Sequence, residues 1–160
     1  MQTDFSDNSF DVVWAIESVC YADDKKDFLK EAYRVLKIGG KLVVADGFLK
    51  RKVKNSEQHI YKEFLEGFIL PNLALMNDFE NSMKEVGFSN IKLWDKTKET
   101  EKSSWLFYKR CSLWYPVFKI ARAFHLVPEL LMKNLKVGIA QYDLVKLGLG
   151  GYGIFYGEKF

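Results

Sequence analysis

Cysteine is scarce in this 160-residue chain, and its two copies, Cys20 and Cys111, lie far apart. Without paired spacing they exclude a disulfide scaffold or a zinc ribbon, and they predict a reducing, cytoplasmic setting. Histidine is equally sparse: His59 and His125 are expected on separate helices, and no cluster of metal-ligand types accompanies either. Neither sign of charge prevails, since 24 Lys and Arg face 21 Asp and Glu. The resulting formal charge of +3 predicts no nucleic-acid partner. No uninterrupted apolar run reaches the roughly 18 residues of a membrane span. The opening "MQTDFSDNSF" has neither the basic head nor the apolar body of a secretory signal.

What the chain does have is apolar material enough for one real core, 48% of its residues. Aromatic residues make up 16% and crowd the second half. Phe10 to Ile16, FDVVWAI, reads as a strand buried on both faces of a parallel sheet. Asp23 and Asp24 supply N-cap chemistry for a helix whose stripe is Phe28, Leu29, Ala32, Tyr33, Val35 and Leu36, and Gly39 and Gly40 are expected to end it. Lys41 to Phe48 reads as a second buried strand, completing a right-handed βαβ unit. Beyond a charged loop, Ser56 is expected to cap one helix and Asp78 another, the second closed by Gly87. "NIKLWDKT" then offers a strand. Residues 103–147 read as helical, broken at Pro116 and Pro128, and "GGYGIFYGEKF" alternates like a strand. Without repeats or a linker, the expectation is a single domain over 1–160, with helical segments at about 55–76 and 103–147.

The ordered series "FDVVWAIESVCYADDKKDFLKEAYRVLKIGGKLVVAD" resembles the fourth strand, fourth helix and fifth strand of class I S-adenosylmethionine-dependent methyltransferases. Its "AIES-C" turn and "EAYRVLKIGG" most resemble the branch acting on sterols, tocopherols and related small molecules. "YGIFYGEKF" resembles that family's last, antiparallel strand. The resemblance implies an α/β fold, a partial Rossmann-like mixed sheet in the strand order 4-5-7-6 with a helical substrate cap. It also implies S-adenosylmethionine as cofactor of the complete enzyme and a small, largely apolar substrate such as a sterol, terpenoid, quinone or lipid.

The same resemblance sets the chain's start within the domain, so the family's glycine-rich loop and ribose-holding acid are expected to be missing. Every glycine follows the fourth-strand equivalent. "GLGGYG" precedes a strand instead of joining a strand to a helix, and so fails as a nucleotide loop. Residue by residue, the resemblance places Glu17 beside the transferred methyl group or substrate, as a proton acceptor or a partner for positive charge. Ala15 and Ile16 would meet the methionine end of the cofactor, and Gln2 and Thr3 the adenine. Tyr21, Trp105 and Tyr108 are candidate substrate contacts.

Cys20 reads as a buried, inert thiol. "KRKVK", Lys50 to Lys54, reads as a solvated loop, with attraction to a phosphate or an anionic membrane surface as the functional alternative. A rival to the enzyme reading is a non-catalytic module pairing through the sheet edge at Phe10 to Ile16, with self-association as one outcome. A peripheral lipid-binding module, using the basic loop and the aromatic helices, is a third.

Overall fold

Phe10–Ile16 forms strand β1 and Leu36–Leu49 strand β2, joined by helix α1, Lys25–Val35. The computed structural model describes residues 2–160. Asp24 caps α1, its Oδ1 accepting from the backbone N–H of Lys26 at 2.7 Å and of Asp27 at 3.4 Å. The two strands run parallel, with Val13 opposite Leu42 and Ala15 opposite Val44. Helix α1 stops at Val35, earlier than the glycines suggest, because Leu36 is already extended and pairs with Phe10. Gly39 and Gly40 serve instead to bulge β2: the register jumps from Phe10–Leu36 to Val12–Lys41. Gly39 takes φ +78°, and a Cβ on Gly40 would sit 2.7 Å from the Lys37 carbonyl oxygen, so both positions favour glycine.

Helix α2 spans Gln58–Phe68 and α3 Met76–Val86, followed by strand β3, Phe88–Asp95. Helices α4, Thr97–Ala123, and α5, Glu129–Lys146, lead to strand β4, Gly150–Lys159. The sheet order is β1-β2-β4-β3, with β3 and β4 antiparallel, which is the mixed arrangement that the resemblance implies.

These elements form two compact units. The first contains the chain up to Lys50, Pro71–Lys96 and Gly151–Phe160. In it, Ala15, Leu42 and Val44 from one sheet face join Leu29 and Ala32 of α1 and Phe79 and Met83 of α3 in the core. Phe48, Phe79 and Phe155 meet with ring centroids 4.9 to 5.1 Å apart at the centre. Gly87, at φ +114°, closes α3, its N–H donating to the Met83 and Lys84 carbonyls. Asp78 does not cap that helix; it lies in the first turn, where its charge suits the helix dipole.

The opposite face of β1 departs from expectation. Val12, Trp14 and Ile16 are exposed, Trp14 by 71%, instead of buried. The sequence shows only an apolar run; the cause lies in topology, since β1 is the outermost strand and no described element covers this face.

The second unit, Arg51–Leu70 with Thr97–Gly150, is helical. Its helix α5 packs on both α2 and α4. Close approach depends on two glycines: a Cβ on Gly67 would lie 2.5 Å from Val137 Cβ, and one on Gly138 2.4 Å from Cys111 Sγ. Ser56 falls in a single 3-10 turn, Asn55–Glu57, and caps nothing. Glu57 takes over, accepting from Lys54 N at 3.0 Å and from both Arg51 Nη atoms at 2.8 Å. Pro116 does not break α4, which carries on seven residues past it, whereas Pro128 stands where a new helix begins, at the N-cap of α5. His125 lies in the turn between α4 and α5 at φ +58°, not on a helix.

Candidate active site at the carboxyl ends of the parallel strands

Ligands of open α/β sheets bind beyond the carboxyl ends of parallel strands, where backbone groups lose their ladder partners. Strand β1 ends here against Ala45 of β2, which itself runs on to Leu49, with Glu17 N–H donating to the Ala45 carbonyl at 2.8 Å. Glu17 then turns the chain at φ +48°, a left-handed conformation that a non-glycine residue holds only at some energetic cost. A 3-10 turn, Val19–Tyr21, follows, anchored in the core by Val19.

Two buried charged side chains hold that turn. Asp46, the residue after Ala45, is only 2% exposed. Its Oδ2 accepts from Cys20 N–H at 3.0 Å and its Oδ1 from Gly47 N–H at 2.7 Å. From the other side, Lys25 Nζ donates to the carbonyls of Cys20 at 3.0 Å, Ala22 at 2.5 Å and Asn72 at 3.0 Å. Burial pushes the Lys25 ammonium below its ordinary pKa, and the carboxylates of Asp46, Asp23 and Asp24 pull it back up. The turn is therefore preorganised by hydrogen bonds that water cannot readily replace.

The Glu17 carboxylate meets Tyr152 of β4, whose hydroxyl lies 3.4 Å from Oε1, a long contact. Burial, then the charges of Glu17 and Asp46, push the Tyr152 phenol upward, so at neutral pH it remains a proton donor. The Cys20 thiol is half-buried and pushed up to about 12, by burial first and by Asp46 second. It stays a thiol at neutral pH and is a poor nucleophile, as the sequence suggests.

Of the residues singled out from sequence, Glu17 and the exposed Tyr21 flank this turn. Ala15 is buried in the core just before it, and Ile16 is exposed. Gln2 is exposed. Thr3 is tied to α1: its N–H and hydroxyl both donate to Glu31 Oε1, at 2.8 and 2.6 Å. Trp105 and Tyr108 stand on α4, in the helical unit. Trp105 is exposed with the Lys109 ammonium 5.2 Å from its ring centroid, and Tyr108 packs its ring on Tyr142 at 4.9 Å. Asp46, Lys25 and Tyr152 went unread in the sequence. Only Asp46 left a signal there, as an acid closing the apolar run LVVA.

A nucleotide cofactor needs a glycine turn leading from a strand into a helix N-terminus. Among the described residues none has that form: Gly39, Gly40 and Gly47 lie within β2, and Gly148 and Gly150 lead from α5 into β4. No group of three or more His, Cys, Asp and Glu suited to a metal occurs among the described residues. No described helix is long and apolar enough to cross a membrane.

Comparison with known proteins bears on lineage and fold. A family model described as a methyltransferase domain matches residues 1–44. The 24-methylenesterol C-methyltransferase 2 of Arabidopsis thaliana is 32% identical over 120 residues, covering 72% of this chain and 33% of that protein. The 2-methyl-6-phytyl-1,4-hydroquinone methyltransferase of Synechocystis sp. is 36% identical over 91 residues, 54% of this chain and 29% of its own length. The chain thus spans about a third of the length of these relatives. In fold it is similar to geranyl diphosphate C-methyltransferase from Streptomyces coelicolor A3(2), solved with S-adenosyl-L-homocysteine. There the TM-score is 0.71 at 18% identity, over 99% of this chain and 51% of that one. In sequence, then, the chain is similar to methyltransferases, and its fold is that of S-adenosylmethionine-dependent methyltransferases.

Proposed function

We propose that the chain supplies the acceptor side of S-adenosylmethionine-dependent methyl transfer to a small, largely apolar molecule of the sterol, terpenoid, quinone or lipid kind. The observation that carries this reading is Glu17, turned left-handed where β1 ends alongside β2 and beside Tyr152, on a turn pinned by buried Asp46 and Lys25. A carboxylate so held accepts a proton from the acceptor, or balances positive charge on it, without first reorganising. The relatives support the acceptor class, since their names specify a 24-methylenesterol and a phytyl hydroquinone. The Ala15 and Ile16 backbone would border the methyl donor.

Because no glycine turn of the required form lies among the described residues, the 160-residue chain by itself should bind S-adenosylmethionine weakly. Calorimetric titration with micromolar affinity would contradict that. Activity is assayed by adding the glycine-loop half of a related sterol methyltransferase and following transfer of labelled methyl to a sterol and to a prenylated hydroquinone. Glu17→Gln should lower turnover by about 100-fold, with the circular dichroism spectrum unchanged. Turnover equal to that of the unsubstituted chain would remove Glu17 from the chemistry.

A second reading has its own observation. The outer edge of β1, with Val12, Trp14 and Ile16 exposed, offers unpaired backbone groups and apolar surface to another chain. On this reading the chain is an interaction module, and no acceptor is methylated under any complementation.

A further inference from the structure

Helix α4 is apolar on more of its circumference than its neighbours can cover. Ser104 and Cys111 are buried, and Cys111 faces Gly138 of α5. On the opposite side, Leu106, Leu113, Val117, Ile120 and Phe124 recur at steps of three, four and seven, which places them on one stripe. All five are exposed, Phe124 by 70%. The stripe runs on into the turn and the start of α5 through Leu126, 76% exposed, and Leu130. A contiguous apolar stripe of this kind marks a surface that meets something other than water.

Charge says what that something is. Between Glu101 and Glu129 the sequence has no acidic residue, while Lys102, Lys109, Arg110, Lys119 and Arg122 are all basic. Helix geometry sets Lys102, Lys109 and Arg110 along the margins of the stripe. Trp105 and Trp114 are exposed nearby, with the Lys109 ammonium over the Trp105 ring. Tryptophan with a cation beside it suits the boundary between headgroups and acyl chains. The loop "KRKVK" contributes less than its sequence suggests, since Lys50 pairs with Asp95 at 2.7 Å and Arg51 with Glu57 at 2.8 Å. Because no described helix can cross a bilayer, the available mode is to lie on one.

We propose that the exposed stripe of α4, with the turn at Phe124 to Leu126, is a docking surface for an anionic membrane. The apolar side chains enter the acyl boundary while the basic residues meet lipid phosphates and carboxylates. This surface stands whether or not the chain takes part in methyl transfer, and its test requires no turnover.

The full chain is sedimented with phosphatidylcholine vesicles, with and without phosphatidylserine. Binding is expected on the phosphatidylserine vesicles, falling as salt shortens the screening length. Lys109→Gln and Arg110→Gln should each weaken partition about fivefold, or about 25-fold together. Val117→Asp with Ile120→Asp should abolish it while the circular dichroism spectrum is unchanged. Should that double variant fail to fold, the two glutamine variants, which leave the apolar packing alone, carry the test. Absence of binding overturns the proposal, as does equal binding to neutral vesicles or full binding by the glutamine pair. A lipid-free dimer abolished by the aspartate substitutions also overturns it, because the stripe would then belong to a second copy of the chain.

Discussion

Lys159 closes β4 with its ammonium inside the protein, donating to Asn8 Oδ1 at 2.9 Å and to the carbonyls of Tyr33 at 2.7 Å and Leu36 at 2.8 Å. Tyr33 belongs to the last turn of α1 and Leu36 follows it, so one cation satisfies acceptors that the helix end leaves open. Lys159→Met keeps most of the stem and strands those acceptors; it should cost about 2 kcal/mol, read in urea as a lower midpoint at unchanged slope. Glu31 makes a second case. Its carboxyl is held at about 2, against an ordinary 4.5, by hydrogen bonds from Arg34 first and from Thr3 second. A depressed acid stabilises the folded state fully above its unfolded pKa and loses that contribution as pH falls through its folded one. The melting temperature should therefore decline between pH 4.5 and about 2, and Glu31→Gln should flatten the decline; an equally steep acid limb in the variant would show the ion pair to be idle. At this scale the sequence was least informative. Glu17 is singled out by a resemblance, and the groups that fix its turn are hidden by distance, Asp46 lying 26 residues from the Cys20 amide it accepts from.

Elements were far more legible, because strand and helix periodicities are local. The βαβ unit, the Asp24 cap, the Gly87 stop and the strand run at the end all read correctly, each from residues within one or two turns. The misreadings share a cause: a side chain able to cap or break was outweighed by its surroundings. Ser56 yielded to Glu57, which Arg51 holds in place. Pro116 costs a local hydrogen bond and a clash, about 3 kcal/mol, which a 27-residue helix packed on α5 withstands. Gly39 and Gly40 looked like a helix stop and proved to be a strand bulge, which only the pairing partner Phe10 reveals. Packing of α4 on α5 rests on the absence of one methyl group. Gly138→Ala would bring a Cβ to 2.4 Å from Cys111 Sγ and 3.0 Å from Phe107 Cε1. Overpacking of this sort should destabilise the helical unit by about 1–3 kcal/mol, although alanine has the higher helix propensity. Pairing it with Cys111→Ala should restore much of the loss; an uncoupled double variant would mean that the close approach is not the cause.

At the scale of the molecule, the sheet has one protected end and one open end. Strand β3 at one margin carries Asn90, Lys92 and Trp94 on an exposed face, and its pairing with β4 includes a register irregularity between Ser89 and Lys92 that blunts the edge. Strand β1 at the other margin has neither device along Val12 to Ile16: its register with β2 is regular there, and its outward side chains are Val12, Trp14 and Ile16. The flanking charge, Asp11, is neutralised by Lys37 at 2.9 Å. A regular, apolar and uncharged edge is a template for strand addition, so the chain by itself should associate through β1 in a concentration-dependent way. Sedimentation velocity should show a species heavier than the monomer that grows with loading concentration. Trp14→Lys places a charge on the open face without touching the core, and should return the chain to monomer with its melting temperature nearly unchanged. Val117→Asp with Ile120→Asp should leave the association as it was, because those residues lie on α4 and not on the sheet. Wild-type chain that stays monomeric at every concentration would rule out the open edge as an assembly site, and association that survives Trp14→Lys would move the contact elsewhere.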